Sequence, residues 1–513
     1  MRGTLLVTAA AMALALGVAL WAAAAEPSPP GAPVPATKES KTAEPAENLS
    51  TTEHVIQIGG KALSYTTITG TLPIKDEAGK SQADIFFVAY LRSGGRDAAR
   101  PITFAFNGGP GASSLWLHLA ALGPKRVVFE QDGTVLPAAV QLVDNEETWL
   151  EFTDLVFIDP VGTGFSRPAP GVEAKQFEGV QNDIRSVGEF IRLFATRYNR
   201  WLSPKFLAGE SYGTTRAAGL SEYLQNKVGM NLQGLVLISS ALDFQTFSFG
   251  EGNDEPYILF LPSYAAVAWY HKRLPEPLQT AKIDTVIDEV RKWADGEYRL
   301  ALAKGDTLPA ADRQKVIDHM IHYTGLSKSF IETHNLRVTN REFAYELLSE
   351  ARRVLGILDG RVTGIVSHPP ARGEPDPALF VTIGPLVAAM NDYVRRDLKF
   401  QSDLPYEYLS GAISRGWNWG SAEEGYLNVA GMLAQAMSEN PHLKVLVVCG
   451  YYDLTTAFAA QMFTLDHLSL DPMLRRNLRV VSYPAGHQVY THPESLKALR
   501  SEAAALIAKP SPP

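Results

Sequence analysis

Cysteine is all but missing: the 513-residue chain has one, Cys449, and a single thiol cannot close an internal disulfide. A disulfide-stapled scaffold is excluded. Stability must come from a core, which a chain of this length with 46% hydrophobic residues can bury. An excess of positive charge is missing too. Lys and Arg number 47 against 55 Asp and Glu, for a formal net charge of -8. No basic surface is left to collect the counterion-release energy of nucleic-acid binding, so a DNA or RNA binder is excluded. At 20% charged residues the composition is not that of a disordered chain. No internal repeat at solenoid or propeller period is found.

Long apolar runs are confined to the start. Met1-Arg2-Gly3 precedes an apolar run from Thr4 to Leu20, then Trp21 and four alanines before Glu26. A positive n-region, an apolar h-region and a small-residue exit predict a signal peptide over 1–25, cleaved after Ala25, and export to the periplasm or the medium. The alternative is an uncleaved anchor, because the run approaches the ~20 residues that span a bilayer. No other segment reads as long and apolar enough to span, and stable membrane insertion after cleavage is not expected. No second cysteine stands near Ala25 to carry a lipid.

Residues 26–50, rich in Pro, Ala, Glu and Lys, are expected to form a disordered linker, and 509–513 a similar tail. After short β-prone runs at His54–Ile58, Leu63–Leu72 and Ala83–Leu91, strands and helices alternate as a mostly parallel sheet requires. Pro101–Phe106, Leu155–Ile158, Lys205–Ala208, Gly234–Ile238, Lys444–Cys449 and Leu478–Tyr483 have strand length. Ser113–Ala121, Glu178–Tyr198, Thr214–Lys227 and Glu494–Ile507 read as helices. The strand rhythm stops over 246–426, where helical, aromatic-rich sequence predicts a cap. The expectation is a mostly parallel α/β sheet flanked by helices, whose core, 51–245 and 427–508, is interrupted by that helical insertion.

Gly209-Glu210-Ser211-Tyr212-Gly213 follows an apolar strand and precedes a helix that begins with small residues. This G-x-S-x-G spacing at a strand-to-helix turn is a nucleophile elbow, which lifts the serine hydroxyl above the sheet. A serine hydroxyl is a poor nucleophile at neutral pH, so the elbow calls for an acid and a histidine further along. Asp453 in Gly450-Tyr451-Tyr452-Asp453 and His487 in Pro484-Ala485-Gly486-His487 each follow a strand and supply them in that order. Ser211, Asp453 and His487 are the candidate catalytic residues. Asn107-Gly108-Gly109-Pro110-Gly111 ends an upstream strand, and the Gly109 and Tyr212 N–H groups are the candidate oxyanion hole.

Four blocks together resemble the serine carboxypeptidase family: Asn107 to Ser114, Asp159-Pro160-Val161-Gly162-Thr163-Gly164-Phe165-Ser166, Gly209 to Gly213, and Ala485-Gly486-His487. The resemblance implies an α/β-hydrolase fold and removal of C-terminal residues from peptides without metal or other cofactor, and with the signal peptide the expectation is an exported bacterial member of that family. It also implies that Asn107, Gly108 and Glu210 bind the substrate's terminal carboxylate. The family pairs the glutamate before the nucleophile with a second one. That position here is Ala121, and the family's tryptophan two residues before the asparagine is Ala105. Two close carboxyls share a proton and can donate to a substrate carboxylate at acid pH, whereas Glu210 alone cannot do so in that way.

An esterase, an acyltransferase or a peptidase without strict C-terminal recognition uses the same triad, and a non-catalytic binding protein is the third reading. The partner expected is a peptide or small acyl substrate. His319 and His322, three apart, lack a completing ligand set and read as a helix face; His118 reads as packing and Cys449 as an inert buried thiol. Trp417, Trp419 and Tyr426 fit an acyl pocket or plain core.

Overall fold

Apolar runs too short for helices become the interior of one sheet. The computed structural model describes residues 48–94, 99–135, 140–366, 376–420 and 425–508, all within the unit Glu47–Pro513. The expected signal peptide, nearly all of the expected linker and the tail lie outside the described residues.

The strands are β1 (Leu49–Ile58), β2 (Lys61–Lys75), β3 (Ser81–Arg92), β4 (Ile102–Phe106), β5 (Asp154–Ile158), β6 (Lys205–Glu210), β7 (Gly234–Ile238), β8 (Lys444–Gly450) and β9 (Leu478–Tyr483). Their order is β1-β2-β3-β5-β4-β6-β7-β8-β9, and Arg167–Pro168 adds a tenth, short strand against β3. β1 begins at Leu49, inside the stretch expected to be linker. Gly59 and Gly60, at φ 54° and 75°, make the two-residue turn that pairs Ile58 with Lys61. From β5 to β9 every neighbouring pair is parallel. Parallel strands are covered on both faces, which is why β4, β5 and β7 are buried at every residue. The architecture is the α/β-hydrolase fold.

Helix α1 (Val180–Arg197) turns Ile184, Val187, Phe190, Ile191 and Phe194 toward one face of the sheet, at the spacing of a single helical stripe. Helix α2 (Tyr212–Tyr223) follows the elbow, and α4 (Pro493–Ala508) closes the chain; α3 (Pro377–Arg396) lies in the insertion. The helix expected over Ser113–Ala121 is present over 115–122, most of it as the wider π-helix Leu117–Leu122, whose end is closed by the Gly123 N–H on His118 C=O.

The insertion is mainly helical, but it contains a hairpin, Arg353–Leu355 with Thr363–Ile365. Helix α3 corrects one expectation: by length and composition it is apolar enough to cross a membrane. Its apolarity serves the core, where Leu386, Met390, Tyr393 and Val394 pack in one cluster with Tyr90 and Phe157.

Candidate active site

At the end of β6 the chain turns sharply, and Ser211 takes φ 59° and ψ -131°. A non-glycine residue rarely occupies that region, so surrounding bonds have to hold it there. Its N–H donates to Ile238 C=O at 3.0 Å and its C=O accepts the Thr214 N–H at 2.8 Å. The flanking glycines are a matter of space. A Cβ on Gly209 would lie 2.4 Å from Gly213 O, and one on Gly213 2.7 Å from Phe106 O.

Asp453 follows β8 and His487 follows β9, at the same carboxyl edge of the sheet as Ser211, where open parallel sheets gather their functional groups. His487 Nδ1 and Asp453 Oδ2 are 2.8 Å apart, with the two residues 2% and 0% exposed. Asp453 also accepts the Thr455 and Thr456 N–H groups and the Thr456 hydroxyl at 2.7–2.9 Å. The acid thus has its acceptor sites filled, and the Nδ1 proton is the one it holds. That leaves Nε2 as the basic nitrogen.

Nε2 faces Glu210 Oε1 at 3.6 Å, while Ser211 Oγ makes no hydrogen bond among the described residues. Burial disfavours charge on His487, but the Asp453 carboxylate and its hydrogen bond outweigh it, with help from Glu210 and Asp376, and push the imidazole up to about 9. Burial likewise raises the Glu210 carboxyl, against the attraction of His487.

The glycine loop after β4 rests on the first turn of α2. A Cβ on Gly108 would stand 2.3 Å from Tyr212 N. The Gly109 and Tyr212 N–H groups have no backbone acceptor among the described residues; Tyr212 opens its helix, where such donors have no partner within the helix. A segment of the insertion holds the loop from outside: Ser410 N–H donates to Gly111 C=O at 2.8 Å and Ser113 N–H to Tyr408 C=O at 3.0 Å. The second sequence block enters through Asp159, pushed up to about 6 by burial, whose Oδ1 accepts the Ser114 N–H and hydroxyl at 2.8 and 2.7 Å.

Asn107 Nδ2 donates to Glu210 Oε2, and Asn107 Oδ1 accepts the Leu117 N–H at 3.0 Å. Ala121 and Ala105 are fully buried among apolar neighbours. Beside Glu210, then, stand an amide and an imidazole. One supporting pair went unnoticed in the sequence. Arg216 Nη1 donates to Asn107 C=O at 2.7 Å, and its Nε pairs with Asp183 at 2.8 Å, both side chains at most 3% exposed. An arginine among the small residues Thr214, Thr215, Ala217 and Ala218 is the signal that pointed to it.

Cys449 is buried, its thiol raised by burial, and donates to Gln461 Oε1 at 3.1 Å. His118 is buried under Phe157, held down at about 3 by burial, and bonds the Tyr90 hydroxyl at 2.6 Å. His319 bonds the Lys315 carbonyl one turn back. Trp417 packs edge-on against the Tyr212 ring at 5.4 Å, and it lines a cleft of about 610 Å³ with Trp419 and Tyr426.

The serine carboxypeptidase family profile matches residues 60–301. The chain is 24% identical over 230 residues to serine carboxypeptidase-like 45 of Arabidopsis thaliana, covering 41% of this chain and 46% of that protein. It is 30% identical over 183 residues to the lysosomal protective protein of Mus musculus, covering 35% and 34%. The chain thus spans about half the length of the first curated relatives it matches. In three dimensions it resembles a prohormone-processing carboxypeptidase from Saccharomyces cerevisiae, with a TM-score of 0.54 at 18% identity over 86% of this chain and 91% of the other. That likeness is one of fold.

Proposed function

We propose that this chain is a serine carboxypeptidase-like hydrolase, removing C-terminal residues from peptides through an acyl-enzyme on Ser211. Ser211 Oγ attacks the scissile carbonyl carbon while His487 Nε2 takes its proton, and the resulting oxyanion accepts hydrogen bonds from the Gly109 and Tyr212 N–H groups. Collapse expels the amine, which receives the proton from His487. Water then attacks the ester, the same imidazole accepting its proton, and Ser211 is regenerated. Asp453 fixes the imidazole tautomer and stabilises its charged form. In this reading Asn107, Gly108 and Glu210 bind the substrate's terminal carboxylate.

The observation that carries this reading is the buried 2.8 Å His487–Asp453 pair on the sheet edge that also presents the strained Ser211. Ser211→Ala is expected to abolish covalent labelling by a fluorophosphonate probe, measured on the purified protein. Undiminished labelling of that variant would remove Ser211 from the chemistry.

The alternative on the same triad is an esterase, an acyltransferase or a peptidase indifferent to the free C-terminus. It is favoured by the lone Glu210, which has no second carboxyl at Ala121. Hydrolysis of a blocked dipeptide acid and of its amide separates the two: a strong preference for the acid supports the exopeptidase. Export, to a bacterial periplasm or medium, is part of the proposal. N-terminal sequencing of secreted protein should begin at Glu26.

A further inference from the structure

The insertion's hairpin carries a turn, 356–362, that reaches between the two catalytic loops. Leu358 C=O accepts the His487 N–H at 2.6 Å, Ile357 C=O accepts the Leu454 N–H at 3.0 Å, and Gly360 N–H donates to Tyr452 C=O at 2.9 Å. Side chains of the same turn close its other flank. Asp359 and Arg361 pair at 2.6 Å, Arg361 Nη1 donates to Pro484 C=O at 3.3 Å, and a Cβ on Gly486 would lie 2.5 Å from Asp359 Cβ. The acid loop and the histidine loop therefore share one backbone support.

That support is itself held by one carboxylate. Asp376 Oδ2 accepts the N–H groups of both Ile357 and Leu358 at 2.8 Å. Its Oδ1 accepts the Ala378 N–H at 2.8 Å, capping the start of α3. Charge-assisted bonds of this kind are about twice as strong as neutral ones. A single side chain thus ties a core helix to the two residues whose carbonyls hold Leu454 and His487.

We infer that Asp376 is a positioning residue of the hydrolytic site, setting His487 and Asp453 in register through the turn 356–362. The inference rests on the proposed acyl-transfer function. A misplacement of about 1 Å at such a site costs about a hundredfold in rate, so the support acts on turnover and not on substrate affinity. It also acts through charge. Asp453 and Glu210 face the imidazole directly, and the Asp376 carboxylate behind the turn adds to their preference for the charged form. Asp359 is neutralised by Arg361, and on its open side Asp376 shares a cleft of about 400 Å³ with Arg341 and Tyr345.

The test is the rate of fluorophosphonate labelling of the full chain, followed from acid to alkaline pH, with hydrolysis of a blocked dipeptide acid giving kcat and KM. Asp376→Asn is expected to lower the labelling plateau and kcat about tenfold with KM unchanged, and to move the acid limb about 0.3 unit downward, a twofold change in the ratio of base to acid form. Asp376→Glu, which keeps the charge but displaces it, should lose plateau rate and keep the wild-type limb; it carries the test should Asp376→Asn fail to fold. A lower plateau with an unmoved limb in Asp376→Asn, a wild-type plateau in either variant, or a rise in KM alone would overturn the inference. Wild-type protein that is not labelled at all would instead overturn the proposed function, and the two failures are distinct.

Discussion

His487 stands between two carboxyl groups, Asp453 on Nδ1 and Glu210 on Nε2, and only the nitrogen facing Glu210 can serve Ser211. A general base works in its neutral form, so activity is expected to rise with pH as the imidazole loses its proton, with the limb running toward the value of about 9. Glu210→Gln removes one of the groups that favour the charged form. Its acid limb should move down by about one unit in a pH profile of probe labelling. A limb that stays in place would mean that Glu210 does not face the imidazole in solution. The sign for stability follows from the same shift. A histidine raised on folding stabilises the fold fully below its ordinary unfolded value of about 6.5, and that contribution is lost as pH climbs through the folded value. The pairing of Asp453 with His487 was legible in the sequence from the order of the motifs; the approach of Glu210 to Nε2 was not. Glu210 could be read there as a substrate ligand, because the elbow fixes its neighbour, but which way its side chain turns depends on Asn107 and on the absence of a second carboxyl at Ala121.

Among the elements, the glycine loop against α2 leaves no room for a side chain. Gly108→Ala places a methyl group 2.3 Å from Tyr212 N, which must push the loop off the helix and part the two oxyanion donors. A loss of about a hundredfold or more in labelling rate is expected, the scale of losing one such donor; retained labelling would show that the loop is not where the oxyanion forms. Strands β4 to β8 and the motifs at their ends were readable because a doubly covered strand has to be a continuous apolar run, and because the elbow tolerates few residue types. The turn 356–362 was not. Its hold on His487 and Leu454 is made by backbone carbonyls, and a carbonyl leaves no mark in the residue letters. The helix at 115–122 was legible, but not its π-type widening over Leu117–Leu122, because its apolar spacing resembles that of an ordinary helix.

In the molecule as a whole, the buried Arg216–Asp183 pair joins α1 to α2 and, through Asn107 C=O, to the end of β4. Asp183→Ala would strand a guanidinium in the interior, so equilibrium unfolding should show a loss of about 3–5 kcal/mol, the usual penalty for an orphaned buried charge. A loss below 1 kcal/mol would place that pair in contact with water. The fold class was legible from the alternation of strands and helices, and the break over 246–426 from the loss of that rhythm. How the insertion returns to clasp both the glycine loop and the catalytic loops was hidden, since it depends on contacts between residues hundreds of positions apart. The order of the strands has a consequence for the chain as it is made. Ser211 sits in the turn after β6, but the acid and the base arrive only with β8 and β9, which are added last and at one margin of the sheet. Because segments tend to fold in the order in which they leave the ribosome, a nascent chain carries its proposed nucleophile through the making of the whole insertion before the groups that would activate it exist.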